Sequence, residues 1–178
     1  SWSPQHCAGG ERSLQCGPSA MGRFGFVLHG LWPDGEGKVW PQYCRPASLV
    51  PQPILRGALC ATPSVQLVQH EWAKHGTCMS RRPEDYFAKS GALYRTIRYP
   101  DMASLAQRKG LTVGAFARSF AAANRGMRAD MLRVQTSRNG MLSEVWVCLD
   151  TRFALSRCPG GQRPDRLTAP VRIAYPWR

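Results

Sequence analysis

The sequence predicts an α+β fold, an antiparallel β-sheet core packed with several α-helices in one disulfide-stabilised domain over residues 1–178. Three observations point there. Helix-forming periodicity is concentrated in the middle of the chain, strand-like segments lie towards both ends, and seven cysteines are spread widely with no Cys-x-x-Cys pair. A hydrophobic fraction of 43% with 20% charged residues excludes wholesale disorder. Apolar runs such as residues 24–28 fall far short of the ~20 residues of a membrane helix, so no membrane insertion is expected. No basic stretch leading into an apolar region opens the chain, and Ser1 reads as the start of a mature or trimmed form.

The elements follow in order. Residues 1–23 are expected to be irregular, broken by Gly9-Gly10 and Gly17-Pro18. Residues 22–28 read as a short buried strand bounded by glycine, and the following Pro33-Asp34-Gly35 marks a turn. Residues 41–64 carry five prolines and should be mostly loop with short helical pieces. Residues 65–78 favour helix, with Gly76 near its end. Residues 83–97 form a second helix, with Tyr86, Phe87, Leu93, Tyr94 and Ile97 at its apolar positions. A third starts after Thr112, an N-cap by residue type, and runs through Phe116 and Phe120 towards Asn124. Residues 131–136 and 141–149 then read as two strands joined by the Asn139-Gly140 turn, and residues 171–175 as one more strand.

Widely spaced cysteines in a chain of this size fit disulfides made in an oxidising compartment. Cys7 with Cys16 and Cys148 with Cys158 would close short loops, each contributing ~2–4 kcal/mol if unstrained. The odd count leaves one thiol, expected to be buried and inert.

A formal net charge of +13 makes polyanions the natural partners, nucleic acid first and acidic membrane surfaces or polysaccharide behind it. A GC-rich coding bias explains 20 Arg against 4 Lys equally well, and the charge is dispersed rather than gathered in a tail.

Three of the four histidines fall in two compact blocks. One is Phe26-Val27-Leu28-His29-Gly30-Leu31-Trp32-Pro33; the other is His70-Glu71-Trp72-Ala73-Lys74-His75-Gly76-Thr77-Cys78. On an α-helix, His70, Glu71, Lys74 and His75 would span about 140° of one face. A solvated amphipathic face would accept the Glu and Lys, but it gives no reason for two of four histidines. Zinc proteases space their histidines four apart, whereas His70 and His75 are five apart with a repelling Lys74 between them. This argues against a zinc set of His70, His75 and Cys78. Phosphodiester chemistry fits better. Cleaving RNA through its own 2′-OH needs a base and an acid near neutral pH, which imidazole supplies, and cationic donors for the charge gathering on phosphorus. Neither metal nor cofactor is required. His6 belongs to neither block and reads as a structural histidine, and Trp72 as a core aromatic.

Both blocks resemble the two active-site segments of the ribonuclease T2 family, secreted acid ribonucleases that include the plant self-incompatibility enzymes. Similarity extends to residues 2–7, resembling the family's first strand, and to residues 142–149, resembling a late core strand. The resemblance implies an α+β fold and a secreted or periplasmic endoribonuclease. Such an enzyme cleaves single-stranded RNA through a 2′,3′-cyclic phosphate to 3′-phosphate ends. It implies His29 as base and His75 as acid, with the two exchanging roles between steps. His70 would bind phosphate, and Glu71 with Lys74 would stabilise the transition state. Trp32 and Asp34 would hold the base on the 5′ side of the cut. Trp32 reads equally as a core aromatic near a turn, and Trp40 as a second wall or as core. The resemblance also implies disulfides Cys44–Cys78 and Cys148–Cys158; with Cys7–Cys16 assumed, Cys60 is left over. No obligate protein partner is implied, and the chain is expected to be a monomer. The rival from another class is a cationic RNA- or surface-binding protein that does not cleave, for which His29 and His75 would be superfluous.

Overall fold

The computed structural model describes residues 1–10, 13–17, 24–35, 37, 39–161 and 163–174. Its elements run α1 (Ser3–Cys7), a 3-10 turn (Leu14–Cys16), α2 (Gln52–Ala58), α3 (Val65–Glu71), a turn of π-helix (Trp72–Gly76), α4 (Thr77–Met79), α5 (Pro83–Thr96), α6 (Met102–Gln107), α7 (Val113–Ala122), a second 3-10 turn (Ala129–Met131), β1 (Leu132–Thr136), β2 (Leu142–Val147) and α8 (Pro164–Thr168). They gather into two compact units, Arg12–Thr96 and Ser1–Glu11 with Ile97–Arg178. The class is α+β, helices with a small antiparallel sheet.

The unit Arg12–Thr96 is helical. Ser64 caps α3 by accepting from the Leu67 N–H, and the helical path then continues without a break to Met79. Val50, Val68, Trp72 and Tyr86 make its buried centre, with Leu31, Ile54, Leu55 and Phe87 packed around them. Trp72 is therefore a core residue. The prolines of residues 41–64 leave loop up to α2, as their fixed φ and missing donors require.

The other unit joins a hairpin to α7. Thr112 caps α7 through its side-chain oxygen, and Val113, Phe116 and Phe120 point inward at spacings of three and four. β1 and β2 pair antiparallel, Leu132 opposite Val147 and Val134 opposite Val145, with the register shifting by a bulge between Gln135 and Thr136. Gly140, at φ +74, donates to Ser137 O and turns the chain.

Four expectations are overturned. Residues 3–7 are helical, not irregular or a first strand; Pro4 sits in the first turn, where a missing N–H is harmless. Residues 24–28 form no strand, and Phe26 alone makes a bridge; residues 22 and 23 lie outside the described residues. Their backbone groups bond elsewhere: Tyr94 O–H donates to Phe26 O, Leu28 N–H to Ala61 O and Thr62 Oγ1 to Leu28 O. Residues 171–174 make single bridges, because Val171 N–H turns to Leu111 O while Arg172 bonds the entry to β2; Tyr175 lies outside the described residues. Cys60, the free thiol, is exposed rather than buried. The disulfides Cys44–Cys78 and Cys148–Cys158 are present, and Cys7 and Cys16 are disulfide-bonded as well. Among the described residues no helix is long and apolar enough to cross a membrane.

Phe116 is fully buried against Phe120 in the hairpin unit. Phe116→Ala should lower stability by about 3–5 kcal/mol in urea denaturation, and a loss below about 1 kcal/mol would contradict that packing.

Candidate active site

Glu71 ends α3 with only 2% of its surface exposed. A carboxylate so deeply buried must be hydrogen-bonded, and the first histidine block supplies the partners. Trp32 Nε1 donates to Glu71 Oε2 at 2.6 Å, and His29 Nε2 lies 3.6 Å from Oε1. Gly30 lets this loop close on the acid: a Cβ there would fall 1.8 Å from Oε2 and 2.6 Å from Trp32 Nε1. The loop is gripped from behind by α5. Leu31 N–H donates to the Tyr86 oxygen at 3.2 Å, and the Tyr86 O–H donates to Leu31 O at 3.0 Å. Burial pushes the Tyr86 phenol far above its ordinary range, with nearby Glu71 adding to it, so it stays protonated.

The second block sits where the helix changes pitch. In an α-helix the rings at 70 and 75 would lie about 140° apart. Here Trp72–Gly76 is π-helical, and Thr77 N–H donates to Trp72 O, five residues back. The wider turn lowers the rotation per residue, which brings His75 nearer the side of His70 than an α-helix would. The wider turn frees carbonyls, which other groups take up. Thr77 Oγ1 donates to Ala73 O at 2.9 Å, Tyr43 N–H to Lys74 O at 2.8 Å, and Cys78 Sγ lies 3.8 Å from the same oxygen. The Cys44–Cys78 bridge fixes the chain beside Tyr43 to the end of this helix. Gly76 is needed as well, since a Cβ would fall 2.4 Å from Trp72 Cε3.

Trp32 links the two blocks. Its ring lies 5.0 Å from that of His29, edge-on, and 5.6 Å from that of His75, tilted by 39°. The histidines are close enough to feel one another's charge. Burial first, then Lys74, His70 and His29, lower the His75 pKa to about 4. His70 is also lowered, by burial and then by Lys74 and His29. His75 Nδ1 is buried without a hydrogen-bond partner among the described residues.

The five acid–base and cationic residues read from the sequence, His29, His70, Glu71, Lys74 and His75, thus come together within one unit. Trp32 is part of the same framework, its indole bonded to Glu71 and its ring beside those of His29 and His75. Asp34 and Trp40 are not brought in: both are exposed, Trp40 to 67%, and among the described residues neither bonds to the histidines. Core packing for Trp40 is thereby overturned. His6 is exposed on α1. Cys78 is committed to its disulfide, so the set His70, His75 and Cys78 cannot hold zinc. Sequence reasoning missed Tyr86 as a clamp. Its place in the apolar stripe of a helix gave no sign that its hydroxyl holds Leu31.

His29, His75 and the buried Glu71 thus surround the Trp32 indole, with His70 and Lys74 on the same helical stretch as His75. The chain belongs to the ribonuclease T2 family, whose model matches residues 1–158. It is 33% identical over 118 residues to a probable ribonuclease of Haemophilus influenzae, covering 57% of this chain and 42% of that one. It is 32% identical over 158 residues to a ribonuclease of Aeromonas hydrophila, covering 84% and 68%. The chain therefore spans less than half of the Haemophilus relative. Its fold matches trichomaglin, an S-like ribonuclease, with a TM-score of 0.69 at 20% identity, covering 89% of this chain and 87% of that one. It also matches RNase NT, solved with 5′-AMP, with a TM-score of 0.64 at 21% identity over 83% and 81%.

Gly30→Ala should displace the Glu71 carboxylate. Turnover of RNA should fall on the order of 10²-fold, as for any ångström-scale misplacement of catalytic groups. Near-normal turnover with an unaltered melting curve would remove the tight carboxylate cradle.

Proposed function

We propose that the chain is an endoribonuclease that cleaves single-stranded RNA by transphosphorylation. It leaves 2′,3′-cyclic phosphate ends and then hydrolyses them to 3′-phosphates. The observation that carries this reading is the Trp32 ring, within 6 Å of the imidazoles of both His29 and His75 while bonded to Glu71. Two proton-transfer groups on either side of one small centre are what an in-line displacement at phosphorus needs.

The electrostatics favour an order opposite to the one the family resemblance implies. His75, lowered to about 4, is neutral in the free enzyme over most of the working range and takes the 2′-OH proton. His29, whose Nε2 lies 3.6 Å from the Glu71 carboxylate, gives a proton to the departing 5′ oxygen. Lys74 and His70 complement the phosphoryl oxygens as negative charge gathers there. In the second step the roles reverse: His29 activates water and His75 returns its proton to the 2′ oxygen. Each step balances with these groups and solvent alone, so metal is not required. Single strands are preferred because the 2′-OH must swing in line with the leaving oxygen, which an A-form duplex resists. Three disulfides support a secreted or periplasmic site of action. The family match runs through both compact units, which supports their working as one catalytic domain, acting as a monomer on RNA.

His29→Ala and His75→Ala should each reduce kcat/KM on homopolymeric RNA by about 10²–10⁴-fold while the protein still folds. The wild type should yield cyclic-phosphate mononucleotides. Near-normal turnover in either variant refutes the assignment, and RNA bound but uncut by the wild type would favour a non-cleaving binding protein.

The pH dependence of kcat/KM has a definite sign. His75 must be neutral to accept a proton, and its proton affinity is lowered, so the acid limb should fall near pH 4 instead of near the ordinary histidine value. The alkaline limb reports loss of the proton that the acid must donate. A profile still rising at high pH would exclude paired histidine catalysis.

A further inference from the structure

The hairpin unit carries a second basic feature that the catalytic group does not use. Along β1, Val134 is buried while Arg133 and Gln135 face the other way, opposite Trp146 and Glu144 of β2. The chain around α8 lies beside this outer face. Arg133 Nη2 donates to Pro159 O, and Arg166 Nη2 donates to Thr136 Oγ1 at 3.3 Å. Between them runs a groove of about 280 Å³ lined by Arg133, Val134, Gln135, Gly161, Arg163 and Arg166.

Three guanidinium groups bordering one groove repel each other, and among the described residues one carboxylate is bonded to any of them. Asp165 holds Arg163, with Nε to Oδ1 at 3.0 Å and Nη2 to Oδ2 at 2.5 Å. Glu144 is engaged elsewhere, accepting from Trp146 Nε1 and Ser1 Oγ at 2.8 Å each. Arg133 Nε is buried with no acceptor among the described residues, so the protein satisfies that guanidinium only in part. The lining is polar apart from Val134 and contains no aromatic ring on which a base could stack, so the chemistry offered is charge-assisted donation to anionic oxygens.

We propose that this arginine groove binds backbone phosphates of an RNA chain. It thus serves as an exosite that reads the polyanion and not its bases. The substrate class rests on the ribonuclease reading above; the groove itself does not, since every residue lining it belongs to the other unit. Guanidinium forks suit phosphate because two parallel N–H donors meet two oxygens, and such contacts raise affinity without sequence preference.

The test uses an uncleavable 2′-O-methyl oligouridine of about twenty nucleotides, longer than one single-strand binding site. Its affinity for the full chain and for the double variant Arg163→Gln, Arg166→Gln is measured by fluorescence anisotropy over a salt series. The variant should bind roughly tenfold more weakly at low salt. The slope of log affinity against log salt should fall by about 1.4, the value for two lost single-strand phosphate contacts. Equal affinity and equal slope would overturn the exosite, as would wild-type protein that does not bind the oligomer. Wild-type turnover of a dinucleoside monophosphate, measured separately, tests the ribonuclease reading alone. If that turnover is absent while binding still depends on the arginine pair, the enzyme assignment falls and the groove stands.

Discussion

The site is organised around one buried carboxylate. Glu71 is nearly sealed from water, and an acid in that position needs donors supplied by the protein. Those donors come from a loop some forty residues earlier: the Trp32 indole N–H directly, with the His29 ring facing the other oxygen. Satisfying Glu71 therefore fixes His29 and Trp32 against α3, and with them the entry of the loop into the site. The glycine between them is part of the same constraint, because a side chain at position 30 and the carboxylate oxygen cannot occupy the same space. Tyr86 completes the grip by bonding both polar groups of Leu31, which leaves the loop little freedom to slide along the helix.

On the helix side, the π turn converts an awkward spacing into a useful one. The five-residue step from His70 to His75 separates the rings in α-helical geometry, and a turn closed by five-residue hydrogen bonds brings them nearer to one side. Such a turn is stable only if its displaced carbonyls find other partners. The Thr77 hydroxyl and the Tyr43 N–H serve that purpose, and the disulfide from Cys44 to Cys78 keeps Tyr43 in place. Local strain at the catalytic helix is thus offset by a loop whose own attachment is covalent.

The parts of this arrangement that were legible in the sequence share a cause: they rest on local chemistry. Thr112 announces α7 because a threonine hydroxyl can cap the first turn, and Asn139-Gly140 announces the hairpin because glycine tolerates the backbone the turn needs. The proposed catalytic residues stand out because few side chains move protons near neutral pH and three of four histidines fall in two short blocks. What stayed hidden depends on distant partners. Residues 24–28 have strand composition, yet Tyr94, Ala61 and Thr62 take up their backbone groups one at a time. The Tyr86 clamp, the pitch of the helix at Trp72 and the surface position of Trp40 and Cys60 are likewise tertiary outcomes. So is the arginine groove, whose members are about thirty positions apart and meet only because α8 lies beside β1. The short helices α6 and α8 did carry signals, an Asp101 cap and a first-turn Pro164, but too few turns to show a period.

On the proposed mechanism, the charge balance of the site suits a dianionic centre. His29, His70, Lys74 and His75 stand near one buried carboxylate, and burial first, then the neighbouring positive groups, lowers the proton affinity of His70 and His75. A bound phosphodiester brings one negative charge and relieves part of that repulsion; the five-coordinate phosphorus of the displacement brings a second and relieves more. The stabilisation therefore grows along the reaction coordinate, from free protein to substrate complex to transition state. Only such differential binding lowers the chemical barrier. A site of the same residues with a second carboxylate would hold its histidines more comfortably at rest and would have less to gain as charge develops on phosphorus.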